Sequence, residues 1–279
     1  MNLFEKILYF IQQLEMETPK PYGWFHLLWI AMTVIAIFLL CRTKNAHSVK
    51  FRNRVLATYA IVSWTLEILK QLLFSMDVSA EGLVTWSYQW YAAPFQFCTT
   101  PFITAFLLIF LKEGRFKNAL ISYLGFYTTA AGFATVLMPT TLFVRTIEVN
   151  VHTMFIHCGS IVIGLYLLIS GNAKPAFSHL RDAFFVFLTY VGIAELLNVF
   201  VYQSGVLGSD NVFNMFYISP YFNSSLPVFC DLQPKLPFAL FLFLYIFALT
   251  TASVLIGLIT ALLGRISQKK NAVDRVADN

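Results

Sequence analysis

From Gly23 onward the chain alternates long apolar runs with short polar connections. The runs cover roughly 23–41, 55–75, 91–111, 118–138, 151–170, 182–202 and 237–263, each close to the ~20 residues that carry an α-helix across a bilayer. Ahead of them, residues 3–14 set Leu3, Phe4, Ile7, Leu8, Ile11 and Leu14 on one helical face, with Glu5, Lys6, Gln12 and Gln13 elsewhere. That pattern predicts a short helix lying in the membrane interface, ended by Thr18-Pro19-Lys20-Pro21. The fold expected is therefore all-α: an interfacial amphipathic helix (1–20), a bundle of seven transmembrane helices (21–264) and a basic cytoplasmic tail (265–279).

Two connections change the picture. The third run opens Tyr91-Ala-Ala-Pro94-Phe-Gln-Phe-Cys98-Thr-Thr-Pro101. Pro94 fits a helix's first turn, where its missing N–H costs nothing. Pro101, read as interior, leaves the carbonyl of Phe97 without its helical donor. Cys98 then sits about one turn below a helix N-terminus, a position that favours a thiolate, although the dipole fades beyond the first turn. For an isolated cysteine, a small buried apolar filler is the simpler account. The other unusual connection is 203–236, where Phe213, Phe216, Tyr217, Tyr221, Phe222 and Phe229 are interleaved with Pro220, Pro227 and Pro234. It reads as a lid folded back over the bundle, or as an aromatic anchor at the interface.

Composition agrees: 58% hydrophobic residues, 12% charged and a mean hydropathy of +0.69 mark an integral membrane protein. The net charge of +5 is no nucleic-acid signature, since the basic residues lie in short connections and the tail. Cys41, Cys98, Cys158 and Cys230 show neither metal-finger spacing nor a disulfide framework. No cofactor, metal or cleavable signal is expected. Lys and Arg concentrate in alternate connections. Arg42, Lys44, Lys50, Arg52 and Arg54 follow the first run, Lys112, Arg115 and Lys117 the third, Lys174 and Arg181 the fifth, and Arg265, Lys269, Lys270 and Arg275 the seventh. The opposite side holds only Lys6, Lys20, Arg145 and Lys235. The positive-inside rule places the N-terminus outside and the C-terminus in the cytoplasm.

Ionisable groups within spans are functional candidates by default. Counted along their helices, Glu67, Cys98, His157 and Glu195 all fall about 9–12 Å below the outer surface. Lys70 shares a face with Glu67, and Asn198 with Glu195; His26 and His152 lie nearer the surface. These positions imply a cavity open to the outer leaflet. A thiol, an imidazole that takes its proton and a carboxylate that orients the imidazole make the set needed for acyl transfer. Glu67 and Glu195 are both open as the carboxylate. Composition and depth alone favour polar groups that satisfy one another over catalysis. A metal site is weaker still, because His152 and His157, five apart, face different ways.

Pro94-Phe-Gln-Phe-Cys98 resembles the Pro-Leu-His-Leu-Cys motif of the YwaF-like bacterial integral membrane proteins. Val151-His-Thr-Met-Phe-Ile-His157-Cys-Gly159 resembles their Phe-Phe-x-x-His-Gly motif, and Asn214 to Pro220 with Ser225-Leu226-Pro227 their outer loop. Here Gln96 replaces the motif's His, and Cys158 intervenes before Gly159. Through that family the chain is similar to the transmembrane protein 164 acyltransferases. The resemblance implies Cys98 as nucleophile, His157 as base, and phospholipids or lysolipids as substrates in a bacterial plasma membrane. Gln96, His26, His152, Lys70, Asn198 and Asn214 are the candidates to bind substrate. The alternative is a non-catalytic carrier or sensor holding an amphiphile in the same cavity.

Overall fold

The computed structural model describes residues 2–79, 81–139, 142–209 and 211–277, and beyond Leu263 the backbone alone. The protein is mostly helical: α1 (Leu3–Gln12), α2 (Trp24–Arg42), α3 (Val49–Ser75), α4 (Thr100–Phe110), α5 (Arg115–Leu137), α6 (Ile147–Ile169), α7 (Phe177–Gln203) and α8 (Phe238–Ala277). Five helices are long and apolar enough to cross a membrane: α2, α5, α6, α7 and the Phe238–Leu263 part of α8. This is a multi-pass membrane protein. α3 falls short in hydropathy because it starts with Lys50, Arg52 and Arg54 and buries Glu67 and Lys70 further on. α4 falls short in length, and the cause is local sequence.

The third apolar run is not one helix from residue 91. One 3-10 turn covers Trp90–Ala92, residues 93–96 are irregular, a second 3-10 turn covers Phe97–Thr99, and α4 begins at Thr100. Pro101 lies in the first turn of α4 rather than its interior, where its lack of an N–H is harmless. The carbonyl of Phe97 is satisfied anyway, by the Thr100 amide and by Thr100 Oγ1 at 2.8 Å. Two strands also stand where the pattern suggested only a connection: β1 (Met76–Val78) pairs antiparallel with β2 (Val84–Trp86), Asp77 facing Thr85. Gly82, at φ 82°, turns the chain between them.

α1 begins with a capping box, Asn2 Oδ1 accepting from Glu5 N and the Glu5 carboxylate from Asn2 N. Only Leu8 of this helix is buried, while Leu3, Phe4, Ile7 and Phe10 are exposed. Gln12 donates to the carbonyl of Met76, and Glu15 pairs with Thr146. At the opposite end of the bundle Tyr166 donates to Ala46 O, and Arg52 reaches Asn172 and Glu113. The connections thus gather at two ends.

The core lies where α5 and α6 cross. An added Cβ at Gly164 would stand 2.8 Å from Leu124 O, one at Gly132 2.9 Å from His157 O, and one at Gly159 2.7 Å from the Tyr59 ring. Gly132 and Gly164 let the α5 and α6 backbones approach as membrane helices do without a hydrophobic driving force, and Gly159 makes room for the Tyr59 ring of α3. Residues 124–128 of α5 form a π-helical turn, and Thr128 and Thr129 both donate to Leu124 O, at 2.9 and 3.1 Å. That turn is seated against Gly164 and fixes how α6 is rotated.

Candidate functional site

Glu67 is the centre of the polar cluster. It is 1% exposed, and each carboxylate oxygen is held. Oε1 receives Lys70 Nζ and Gln71 Nε2, both at 2.7 Å. Oε2 receives His152 Nε2 at 2.8 Å, which puts that imidazole's proton on Nε2, since an ionised carboxylate only accepts. Lys70 and Gln71 also donate to Ala92 O, at 3.3 and 2.6 Å. The segment that leads to Cys98 is thereby fastened to α3 through the 3-10 turn Trp90–Ala92.

Cys98 is a free, half-buried thiol in the turn immediately before α4. Its turn packs against α6, the helix of His152 and His157, and the thiol lies within electrostatic reach of Lys70 and Glu67. His157 is half-buried, and its ring makes no hydrogen bond among the described residues. One imidazole of α6 is therefore committed to Glu67 and the other is uncommitted. Glu67 supports His152 instead of His157. Glu195, the other carboxylate considered, is half-buried on α7 and bonds neither ring among the described residues; its Oε2 is unpartnered. Glu148 was not foreseen. It lies one turn before His152, near Lys70 and Glu67, 8% exposed with both carboxylate oxygens unpartnered. The spacing of Glu148 and His152, four apart on one face, was the available signal.

The side-chain amides do something different from gripping a substrate. Gln96 Nε2 donates to Asn214 O at 3.0 Å and its Oε1 accepts from Phe216 N at 2.9 Å. Asn198 closes the same pair of bonds with Met215 N and O, at 2.7 and 3.1 Å. Asn214 accepts from Ser219 N and donates to Phe222 O and Asn223 O. All three thus clamp the 214–223 segment over the Cys98 turn. Phe216 and Tyr217 both take positive φ, 58° each, and the Phe216 ring lies 5.3 Å from Phe97 and 5.9 Å from Phe95. Two successive aromatic residues in the left-handed region are strained, and such strain gathers at functional sites. His26 belongs elsewhere. Its Nδ1 accepts from Tyr22 N at 3.0 Å, and its ring packs on Phe143 beside a second apolar cluster of α2, α5 and α6.

Scanned against known protein families, residues 21–263 match the TMEM164 family. The chain belongs to the TMEM164 family. The match runs from just before α2 to the end of the apolar part of α8, so it takes in every residue of the Glu67 cluster and the Cys98 turn. No curated protein and no solved structure matches the chain.

Proposed function

We propose that the protein is a membrane-embedded, cysteine-dependent acyltransferase that remodels phospholipids. The observation that carries this reading is the free Cys98 thiol, in a turn at a helix N-terminus packed against α6, whose His157 ring is uncommitted. Membership of the TMEM164 family supports it. His157 takes the thiol proton while Sγ attacks the ester carbonyl of a phospholipid. The C–O bond breaks, the lysolipid leaves with that proton, and the acyl group remains on Sγ as a thioester. The hydroxyl of a second lysolipid then attacks, passes its proton to His157 and releases the thiolate, which is reprotonated. Glu67 acts by holding His152, Lys70 and the 90–96 segment in place, a positioning role.

The same reading takes α3 and the Phe97–Phe110 segment as spans too. That makes seven, in a bacterial plasma membrane, with the N-terminus outside and the basic connections and tail in the cytoplasm. The interfacial role of α1 is supported by its exposed apolar residues, and the lid role of the 203–236 connection by the amide clamps.

Intact-protein mass spectrometry after incubation with phospholipid vesicles tests the chemistry. Wild type gains a fatty-acyl mass that hydroxylamine removes, and Cys98→Ala gains none and loses lipid turnover while staying folded. An adduct on another cysteine, or full turnover by Cys98→Ala, overturns it. Lipid-dependent thermal stabilisation that survives Cys98→Ala, with no adduct on wild type, would instead make the chain a carrier or sensor. That second reading is the one the unpartnered Glu148 carboxyl favours.

A further inference from the structure

Between α2 and α3 runs a groove whose lining includes neither Cys98 nor His157. Both helices pack on α6, and side chains facing the gap are short: Thr33 and Ala36 on α2, Thr58 on α3, with Gly159 on the floor. The resulting cavity measures about 690 Å³, inside the range of sites that take small amphiphiles. Its remaining lining is almost wholly aliphatic and aromatic, from Trp29 at one end to Phe51 at the other, with no carboxylate. The one charged group is Arg54, exposed at the end beside the 43–48 connection.

Length and charge identify the occupant. On α3 the lining runs from Phe51 to Val62, which at 1.5 Å per residue is about 16 Å. One leaflet of a ~30 Å hydrocarbon core is about 15 Å deep. Arg54 has no ion-pair partner among the described residues, whereas its neighbour Arg52 is buried and bound to Glu113. Lys44 and Lys50, exposed near the same end, are likewise without an ion pair among the described residues. Arginine pairs with phosphate through two parallel hydrogen bonds, and basic pockets between membrane helices recruit anionic headgroups. A groove one leaflet deep, apolar along its length and cationic at its mouth, matches a phospholipid standing in that leaflet.

We propose that this groove binds one acyl chain of an anionic phospholipid from the leaflet on the Arg54 side, with the lipid phosphate paired to Arg54. Cys98 does not line the groove, and the proposal holds whether or not the thiol is catalytic.

The full chain, purified in mild detergent and incubated with phosphatidylglycerol vesicles, is examined by native mass spectrometry. Wild type and Cys98→Ala each retain one phosphatidylglycerol. Ala36→Phe fills the groove and lowers the retained fraction by about tenfold; Arg54→Gln lowers it several-fold. Excess inorganic phosphate leaves the lipid in place. Since Ala36→Phe alters packing, wild type gives an independent reading: phosphatidylglycerol brominated on its acyl chain quenches the part of the tryptophan fluorescence that Trp29→Phe removes. Retention unchanged in Ala36→Phe, release by inorganic phosphate, or no Trp29-dependent quenching overturns the proposal. So does a dimer that Ala36→Phe dissociates, which would make a second copy the occupant.

Discussion

At the scale of single residues, Glu67 shows how a charge is kept in the interior of the bundle. Lys70, Gln71 and His152 supply one donor each to its two oxygens, so desolvation is offset by charge-assisted bonds. Removing one member of such a group leaves the other uncompensated, so Glu67→Ala should cost about 3–5 kcal/mol of stability. Lys70→Ala added to it should restore part of that loss, because the stranded ammonium goes too. Denaturant titration in detergent of the two single variants and the double variant measures this. Strictly additive losses would show that the pair is not coupled. Glu67, Lys70 and His152 were all identifiable from the sequence as costly groups in spans. The Glu67–Lys70 pair was legible too, three apart on one face. The pairing of Glu67 with His152 was not, because His152 and His157 point about 140° apart on one helix, and apolar periodicity leaves open which of them faces α3. The rotation of α6 decides it, and that is set by packing against α5.

At the scale of elements, that packing depends on glycine. Gly164 faces the π-helical turn of α5 so closely that a Cβ there would meet Leu124 O at 2.8 Å and the Thr129 side chain closer still. Thr129 can rotate away, but the carbonyl cannot without moving α5. Gly164→Ala should therefore lower stability by about 1–3 kcal/mol as an overpacked core does. Gly192→Ala, where nothing lies within 4 Å of the added methyl, should change it little. Thermal unfolding of both variants in one detergent provides the comparison. Equal melting temperatures would mean that α5 and α6 adjust freely, and that the rotation of His157 is not fixed by this contact. Helix positions were legible in the hydrophobic pattern because runs such as 118–138 and 182–202 have the length a bilayer demands. The short hairpin at Met76–Trp86 was not, since three-residue strands give too little alternation to register. Nor was the late start of α4: two prolines seven apart permit either proline to take a first turn, and the structure uses Pro101. The amide clamps on the 214–223 segment were invisible for a related reason. Gln96 and Asn198 share a depth with the site, and only the path of the loop shows that backbone groups take up their hydrogen bonds.

At the scale of the whole molecule, one end of the bundle is tied together by Glu113, in the connection between α4 and α5. Its carboxylate takes Arg52 of α3 at 2.6 Å and Lys117 of α5 at 2.9 Å. Arg52 continues to Asn172 in the connection that joins α6 to α7. The cations are the buried partners, 4% and 3% exposed, while Glu113 is 48% exposed. Partial burial pushes the Glu113 carboxyl up, but Lys117 and Arg52 together outweigh it and hold the group below the usual carboxylate range. A depressed carboxyl contributes stability that is fully present above its unfolded pKa of about 4.3 and is lost as pH falls through the lower folded value. Because Glu113 is half in solvent, that contribution is discounted to about 1 kcal/mol or less. Melting temperature should hold from neutrality to about pH 5 and decline below the carboxylate range. Other carboxylates titrate in the same window, so the informative quantity is the difference between wild type and Glu113→Gln. It should be positive at neutral pH, where the variant leaves two buried cations without their counter-charge, and should close as acid neutralises Glu113 in the wild type. A difference that stays constant from neutral to acid pH would mean that Glu113 acts through shape or neutral hydrogen bonds.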